Sequence, residues 1–155
     1  MKFKLLIVAL LFSCFSLGQV IYQDNFGTTA ISAKPYTGTP TTSDVNLNTF
    51  SWTTSAALFG SLAGNGGLPS QSLSLTNSSG TPTMTFTFNV AAGYELSVTQ
   101  FDFWRVRSTT GAQNWAMTIN GTSVGAGTIP TTGALLGATN VSTPINGLTG
   151  TVTVV

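Results

Sequence analysis

Met84-Thr85-Phe86-Thr87-Phe88-Asn89-Val90 alternates apolar and polar residues without a break. Successive side chains on a strand point to opposite faces, so this spacing lines Met84, Phe86, Phe88 and Val90 along one face. Thr85, Thr87 and Asn89 line the other. Threonine suits that second row because its branched Cβ fits a pleated surface and its hydroxyl meets water. The stretch predicts a strand with one face in a core and a hydroxyl-rich face in solvent.

The same period of two recurs on both sides of it. Leu73 and Leu75 alternate with serines, Trp115, Met117 and Ile119 share a parity, and Val152 and Val154 alternate with threonines. Ile21-Tyr22 and Phe50-Ser51-Trp52 are shorter strand candidates. Asn120-Gly121 and Asn146-Gly147 suit type I′ turns, which need positive φ at both central residues. Asn65-Gly66-Gly67 and Ser79-Gly80-Thr81-Pro82 are further breaks. Past the N-terminus, no window combines a helical period with capping residues. Short strands with turn signals at this spacing predict an all-β fold, an antiparallel β-sandwich of jelly-roll-like form. Gly27 to Thr49, dense in Thr, Pro, Gly and Ser, reads as one long surface loop. Gly60 to Gly67 (GSLAGNGG) reads as another, since it lacks the Lys-Ser/Thr of a phosphate-binding loop.

In Tyr94 to Arg107 (YELSVTQFDFWRVR), Tyr94, Leu96 and Val98 share one parity while Phe101 and Phe103 share the other. A parity switch requires a bulge or corner near Thr99-Gln100, the kind of corner by which a strand passes between sheets. With Phe101 and Phe103 inward, Trp104 points outward. Arg105 and Arg107 are then expected to pin a loop by bonding backbone carbonyls or a carboxylate such as Asp24 or Asp44.

At the N-terminus, Lys2 and Lys4 precede the apolar run Leu5–Phe12, with small and polar residues behind it. That order is the order of an export signal, so residues 1–18 read as a helical signal peptide. The apolar run is shorter than the roughly 20 residues a membrane-spanning helix needs. Ser16-Leu17-Gly18 offers small residues where a signal peptidase requires them, making Gln19 the first mature residue. A second reading takes Leu11-Phe12-Ser13-Cys14 as a lipobox with a lipidated Cys14, against which the bulk of Phe12 counts. The expected location is secreted or cell-surface.

The part expected to remain, residues 19–155, holds Lys34, Arg105 and Arg107 against Asp24, Asp44, Glu95 and Asp102, three positive and four negative charges, or −1. Nucleic acid needs clustered Lys and Arg to displace counterions, so it is excluded as a main partner. There is no histidine, and the single cysteine lies within the signal. Ser-His-Asp, Cys-His, zinc-ligand and disulfide chemistry are therefore out of reach. Only a pair of those four carboxylates is left to support catalysis, of the kind glycosidases use.

The residues singled out for ligand contact are Trp104, as a flat outward platform, with Arg105 and Arg107 beside it. Trp52 and Trp115 read as core. Asp24-Asn25 with Asp44 could offer hard oxygen ligands to Ca2+, a weak signal beside an ordinary turn role; no other cofactor is expected. Thr149 to Val155 begins a strand whose apolar end would leave an open edge, which predicts that the sequence is a fragment of a longer protein.

The signal ending Ser16-Leu17-Gly18-Gln19, the early Ile21-Tyr22-Gln23-Asp24-Asn25-Phe26 and the run Phe101–Gly121 (FDFWRVRSTTGAQNWAMTING) resemble the N-terminal jelly-roll domains of large exported proteins from Bacteroidetes-type bacteria. Such proteins often end in a type IX secretion sorting domain or another surface anchor. The resemblance implies a single sandwich domain over residues 19–155, truncated before a further strand carrying acidic residues. Three functions follow as expectations: a non-catalytic binding or adhesion module with a glycan or surface polysaccharide as ligand, a structural spacer of a larger exported protein, and a carboxylate-dependent glycoside-active enzyme. Fold alone does not choose among them.

Overall fold

The computed structural model describes residues 19–63, 71–76, 79–132, 134–135 and 139–155; residues 1–18, expected to be a helical signal peptide, lie outside them. All regular structure among the described residues is β. The strands are β1 (Tyr22–Gln23), β2 (Thr42–Ser43), β3 (Leu47–Thr54), β4 (Leu58–Ala63), β5 (Gln71–Thr76), β6 (Met84–Val90) and β7 (Leu96–Phe101), followed by β8 (Trp104–Arg105), β9 (Asn114–Ile119), β10 (Thr122–Thr128), β11 (Ala134–Leu135), β12 (Thr139–Leu148) and β13 (Gly150–Val154). The expected all-β antiparallel fold is observed, and its layers form a sandwich.

One layer is a five-stranded antiparallel sheet in the order β10-β9-β13-β6-β3. The strand read first from sequence, β6, sits inside it between β13 and β3. Phe86, Phe88 and Val90 are buried on its inner face, where Val152 of β13 opposes Phe88 and is fully buried. The antiparallel pair β7–β12 forms the facing layer and contributes Leu96, Val141 and Leu148 to the same core. Thr85, Thr87 and Asn89 line the outer face with Thr151 and Thr153, and Thr151 Oγ1 donates to Asn89 Oδ1 at 2.8 Å. Hydroxyl and amide groups thus supply the surface polarity that a low charge count leaves wanting.

Two bulges set which residues meet. In β3 the register shifts between Asn48 and Ser51, and Thr49 takes φ +58°. The extra residue returns Phe50 and Trp52 to the inner face, where Trp52 stacks on Phe86 with ring centroids 4.3 Å apart. In β10 the register shifts between Ser123 and Gly125. Val124 drops into the core there, and Gly125 and Gly127 land opposite Met117 and Trp115. The Trp115 indole then lies across the two glycines: a Cβ added at Gly127 would stand 2.9 Å from Nε1, and one at Gly125 3.2 Å from Cη2.

The stretch expected to be one long loop holds structure. Within Gly27–Thr49, β2 pairs with β1 and β3 has begun at Leu47, while Tyr36 bridges to Trp52 through two 2.8 Å backbone hydrogen bonds. Short pairings of two residues carry too little alternation to stand out in sequence. The expected Gly60–Gly67 loop is corrected likewise: Gly60 to Ala63 belong to β4, paired with β5. Asn65-Gly66-Gly67 lies outside the described residues. Asn120-Gly121 makes the expected tight hairpin with φ +47° and +80°. Asn146-Gly147 does not; it lies within β12, at the register shift between Ile145 and Leu148. The strand turns instead around Thr149-Gly150, where Gly150 takes φ +61°.

Candidate functional site

The parity switch expected at Thr99-Gln100 is present. Leu96 is buried and Val98 half-buried, Thr99 and Gln100 are exposed, and Phe101 is half-buried again. The compensating irregularity lies in β12, between Asn140 and Ile145, so β7 stays with one partner and does not cross to the other sheet.

Past this switch, Phe101 and Phe103 turn inward and meet Trp115 edge to face, with centroids 5.9 and 5.1 Å away. The Arg105 guanidinium carbon lies 4.6 Å from the Phe103 ring centre and 5.0 Å from that of Trp115. Its Nε donates to Thr128 O at 3.1 Å. Arg107 donates from Nε to Ile129 O at 2.9 Å and from Nη1 to the carbonyls of Ser108 and Thr109. Both arginines therefore clamp the loops flanking β9 and β10 to the segment after β7. They do so through backbone carbonyls, one of the two expected partners, and not through Asp24 or Asp44.

Trp104 lies on the opposite face of β8 from Arg105 by strand alternation. It is half-buried, and its backbone pairs with Leu135. The fold thus separates the three residues singled out for ligand contact: two hold loops from one side while the tryptophan occupies the other.

Asp24 and Asp44 stand at opposite ends of the β1–β2 ladder, in which Tyr22 pairs with Ser43 and Gln23 with Thr42. Each closes its own turn. Asp24 Oδ1 accepts from Phe26 N at 2.7 Å and Oδ2 from the Tyr22 hydroxyl at 3.0 Å; Asp44 Oδ1 accepts from Asn46 N at 2.8 Å and Nδ2 at 3.0 Å. Burial raises the Asp24 carboxyl above the ordinary carboxylate range, partly offset by those two donors. The Tyr22 hydroxyl, which also accepts from Trp52 Nε1 at 3.0 Å, is held well above the usual phenol range, mainly by burial. Among the described residues, no three Asp, Glu, His or Cys side chains gather where they could share a metal ion. Glu95 and Asp102 flank β7 at its two ends, roughly 20 Å apart at about 3.3 Å per residue, far beyond the spacing of a glycosidase pair.

The other end of the sandwich carries a feature that sequence reasoning passed over. An open cleft of about 410 Å³ lies between the β6–β7 turn, Ala91 to Glu95, and the β12–β13 turn at Thr149 and Gly150. Gly93 takes φ +86°, a conformation glycine adopts readily, and the turn closes through Tyr94 N donating to Ala91 O at 3.2 Å. Tyr94 emerges from it 54% exposed. Glu95 follows, also exposed, with Oε2 beside Gly147, where an added Cβ would stand 3.7 Å away.

The Asp44–Asn46 turn sits at this same end, because Ala91 N donates to Asn46 O at 2.8 Å. Val45, at its tip, is 93% exposed, and Val20 comes alongside through the bond from Asp44 N to Ile21 O. Val20, Val45 and Tyr94 therefore place exposed apolar surface close to two carboxylates.

Among the described residues no helix is long and apolar enough to cross a membrane. No protein family, curated protein or solved structure matches this chain.

Proposed function

We propose that this chain is a non-catalytic binding or adhesion module of an exported protein, and that it takes carbohydrate at the Tyr94–Glu95 end of the sandwich. One observation carries the reading: the most exposed aromatic ring among the described residues adjoins a free-standing carboxylate over an open cleft. An aromatic face accepts the C–H face of a sugar ring, and a carboxylate accepts hydrogen bonds from adjacent hydroxyls. A few polar groups around an apolar floor suffice to orient such a ligand. Asp102 lies at the other end of β7 and Asp44 closes its own turn through Oδ1, an arrangement that favours binding over bond cleavage, which needs two convergent carboxyl groups.

A glycan array on the protein, with Tyr94→Ala, Glu95→Gln and Trp104→Ala variants, tests this. Binding that falls at least tenfold in the Tyr94 and Glu95 variants and persists in the Trp104 variant is the expected result. Loss of binding only with Trp104→Ala places the site on β8. No binding to any glycan removes the reading in favour of a structural spacer.

A further inference from the structure

Two of the chain's Asn-Gly pairs, Asn120-Gly121 and Asn146-Gly147, lie among the described residues, and both follow an isoleucine. The glycine of such a pair has no side chain to screen its peptide nitrogen. That nitrogen can attack the asparagine Cγ and close a five-membered ring, provided the carboxamide is free to swing over the backbone. With the same Ile-Asn-Gly sequence at both places, intrinsic reactivity matches. What the fold does to each pair then decides between them.

Asn120 is held. Its Oδ1 accepts from Thr153 N at 2.8 Å, and its own N donates to Thr153 O at 2.8 Å. With φ of +47° and +80°, Asn120 and Gly121 form the tight turn between β9 and β10. Ring closure there would have to break the bond to Thr153 N and distort the turn.

Asn146 is not held. Ile145 pairs with Val98 and Leu148 with Leu96, so Asn146 and Gly147 stand together opposite Ser97 alone. A bulge of this kind leaves its extra residue out of the ladder. Both residues are exposed, and among the described residues no hydrogen bond holds the Asn146 carboxamide. Apart from the adjoining residues, only Glu95 Oε2 among the described residues comes within 4 Å of where a Gly147 Cβ would stand, at 3.7 Å. Little therefore packs against the glycine whose nitrogen must move.

We propose that Asn146 is a site of spontaneous deamidation, converting in the folded protein to aspartate and isoaspartate. Gly147 N bonds to Asn146 Cγ, its proton passes through solvent to the side-chain nitrogen, and that nitrogen leaves as ammonia. The succinimide then takes up one water. Opening at the bond between Cγ and nitrogen gives aspartate with an ordinary backbone. Opening at the α-carbonyl gives isoaspartate, whose backbone runs through Cβ and Cγ and is one carbon longer. Either product adds one negative charge next to Gly147, where Glu95 already sets its carboxylate.

The test is incubation at mildly alkaline pH, with the protein folded and in guanidinium chloride, followed by peptide mapping with fragmentation that separates residue 120 from residue 146 and isoaspartate from aspartate. In the folded protein Asn146 converts at least tenfold faster than Asn120, and in denaturant the two rates converge. Isoaspartate is the larger product. A folded-state ratio below tenfold overturns the proposal. So does conversion of Asn146 more than tenfold slower in the folded protein than in denaturant, since the bulge would then protect the residue. Aspartate without isoaspartate also overturns it, because the carboxamide would then be hydrolysed without a ring.

Discussion

Gly127→Ala isolates the contact on which one end of the core is built. The added Cβ would lie 2.9 Å from Trp115 Nε1 and 3.2 Å from Cε2 and Cζ2. The atoms it meets belong to a rigid ring, which cannot yield by a rotamer change at its tip. The indole is held from its other sides by Phe101, Phe103 and the Arg105 guanidinium. Overpacking of this kind costs about 1–3 kcal/mol. Against it stands the lower chain entropy of an unfolded state with alanine, worth about 0.4–1 kcal/mol. The net expectation is a destabilisation of about 1–2 kcal/mol, or a Tm lower by about 3–10 °C for a domain of this size.

Thermal unfolding followed by circular dichroism reads this directly, with Gly60→Ala as the control. At Gly60 a Cβ would meet only Ile31 O at 3.5 Å and Ser74 Oγ at 3.8 Å, ordinary contact distances. That variant should match the parent or exceed it slightly. A double variant with Trp115→Leu completes a cycle in which the Gly127 penalty shrinks once the ring is gone. If Gly127→Ala is as stable as Gly60→Ala, or if its penalty is the same with and without Trp115, the glycine floor is not what seats the indole.

Tyr22→Phe deprives Trp52 Nε1 of its acceptor and Asp24 Oδ2 of its donor. A loss of about 1–3 kcal/mol is expected from the stranded polar groups, measured as a lower urea midpoint with unchanged slope. Asp24→Asn tests the sign of a titration. Burial raises the Asp24 pKa in the folded state, so the protonated form is favoured there. That contribution is fully present below the unfolded carboxylate value of about 3.9 and is lost as pH rises through the folded value. Stability of the parent relative to the Asp24→Asn variant should therefore fall across that window, as read by urea midpoints from pH 3 upward. A difference that rises with pH instead would mean that the donors from Phe26 N and Tyr22 outweigh burial.

Strand β6 was legible because nothing interrupts its alternation, and its neighbours β13 and β9 share that property over Val152–Val154 and Trp115–Ile119. Strand β10 (Thr122–Thr128, TSVGAGT) was not legible. Its only large apolar residue is Val124, and that residue is the bulge. Its inward positions beyond the bulge are glycines, whose role as the surface under an indole exists only once β9 has been laid beside them. A glycine in sequence signals a break; a glycine opposite a tryptophan signals a close approach. Only the pairing register separates the two meanings.

The candidate site escaped for a related reason. Tyr94 shares a parity with Leu96 and Val98, so it reads as the first inward residue of a strand. In the structure β7 starts at Leu96, and Gly93 at φ +86° turns the chain just before it, which removes Tyr94 from the alternation and leaves its ring exposed. Ala91-Ala92-Gly93 directly after the apolar end of β6 was the available signal, since a small-residue run closed by glycine marks a tight turn. Trp104 drew attention instead because parity made it outward, yet in the structure it is half-buried. Alternation ranks residues by face and says nothing of what each face meets, so side-chain exposure at strand ends follows from turns and neighbours. The arginines show the converse: their role of pinning a loop was readable, but which acceptors they take, the carbonyls of Thr128 and Ile129, depends on the end of β10 lying beside them.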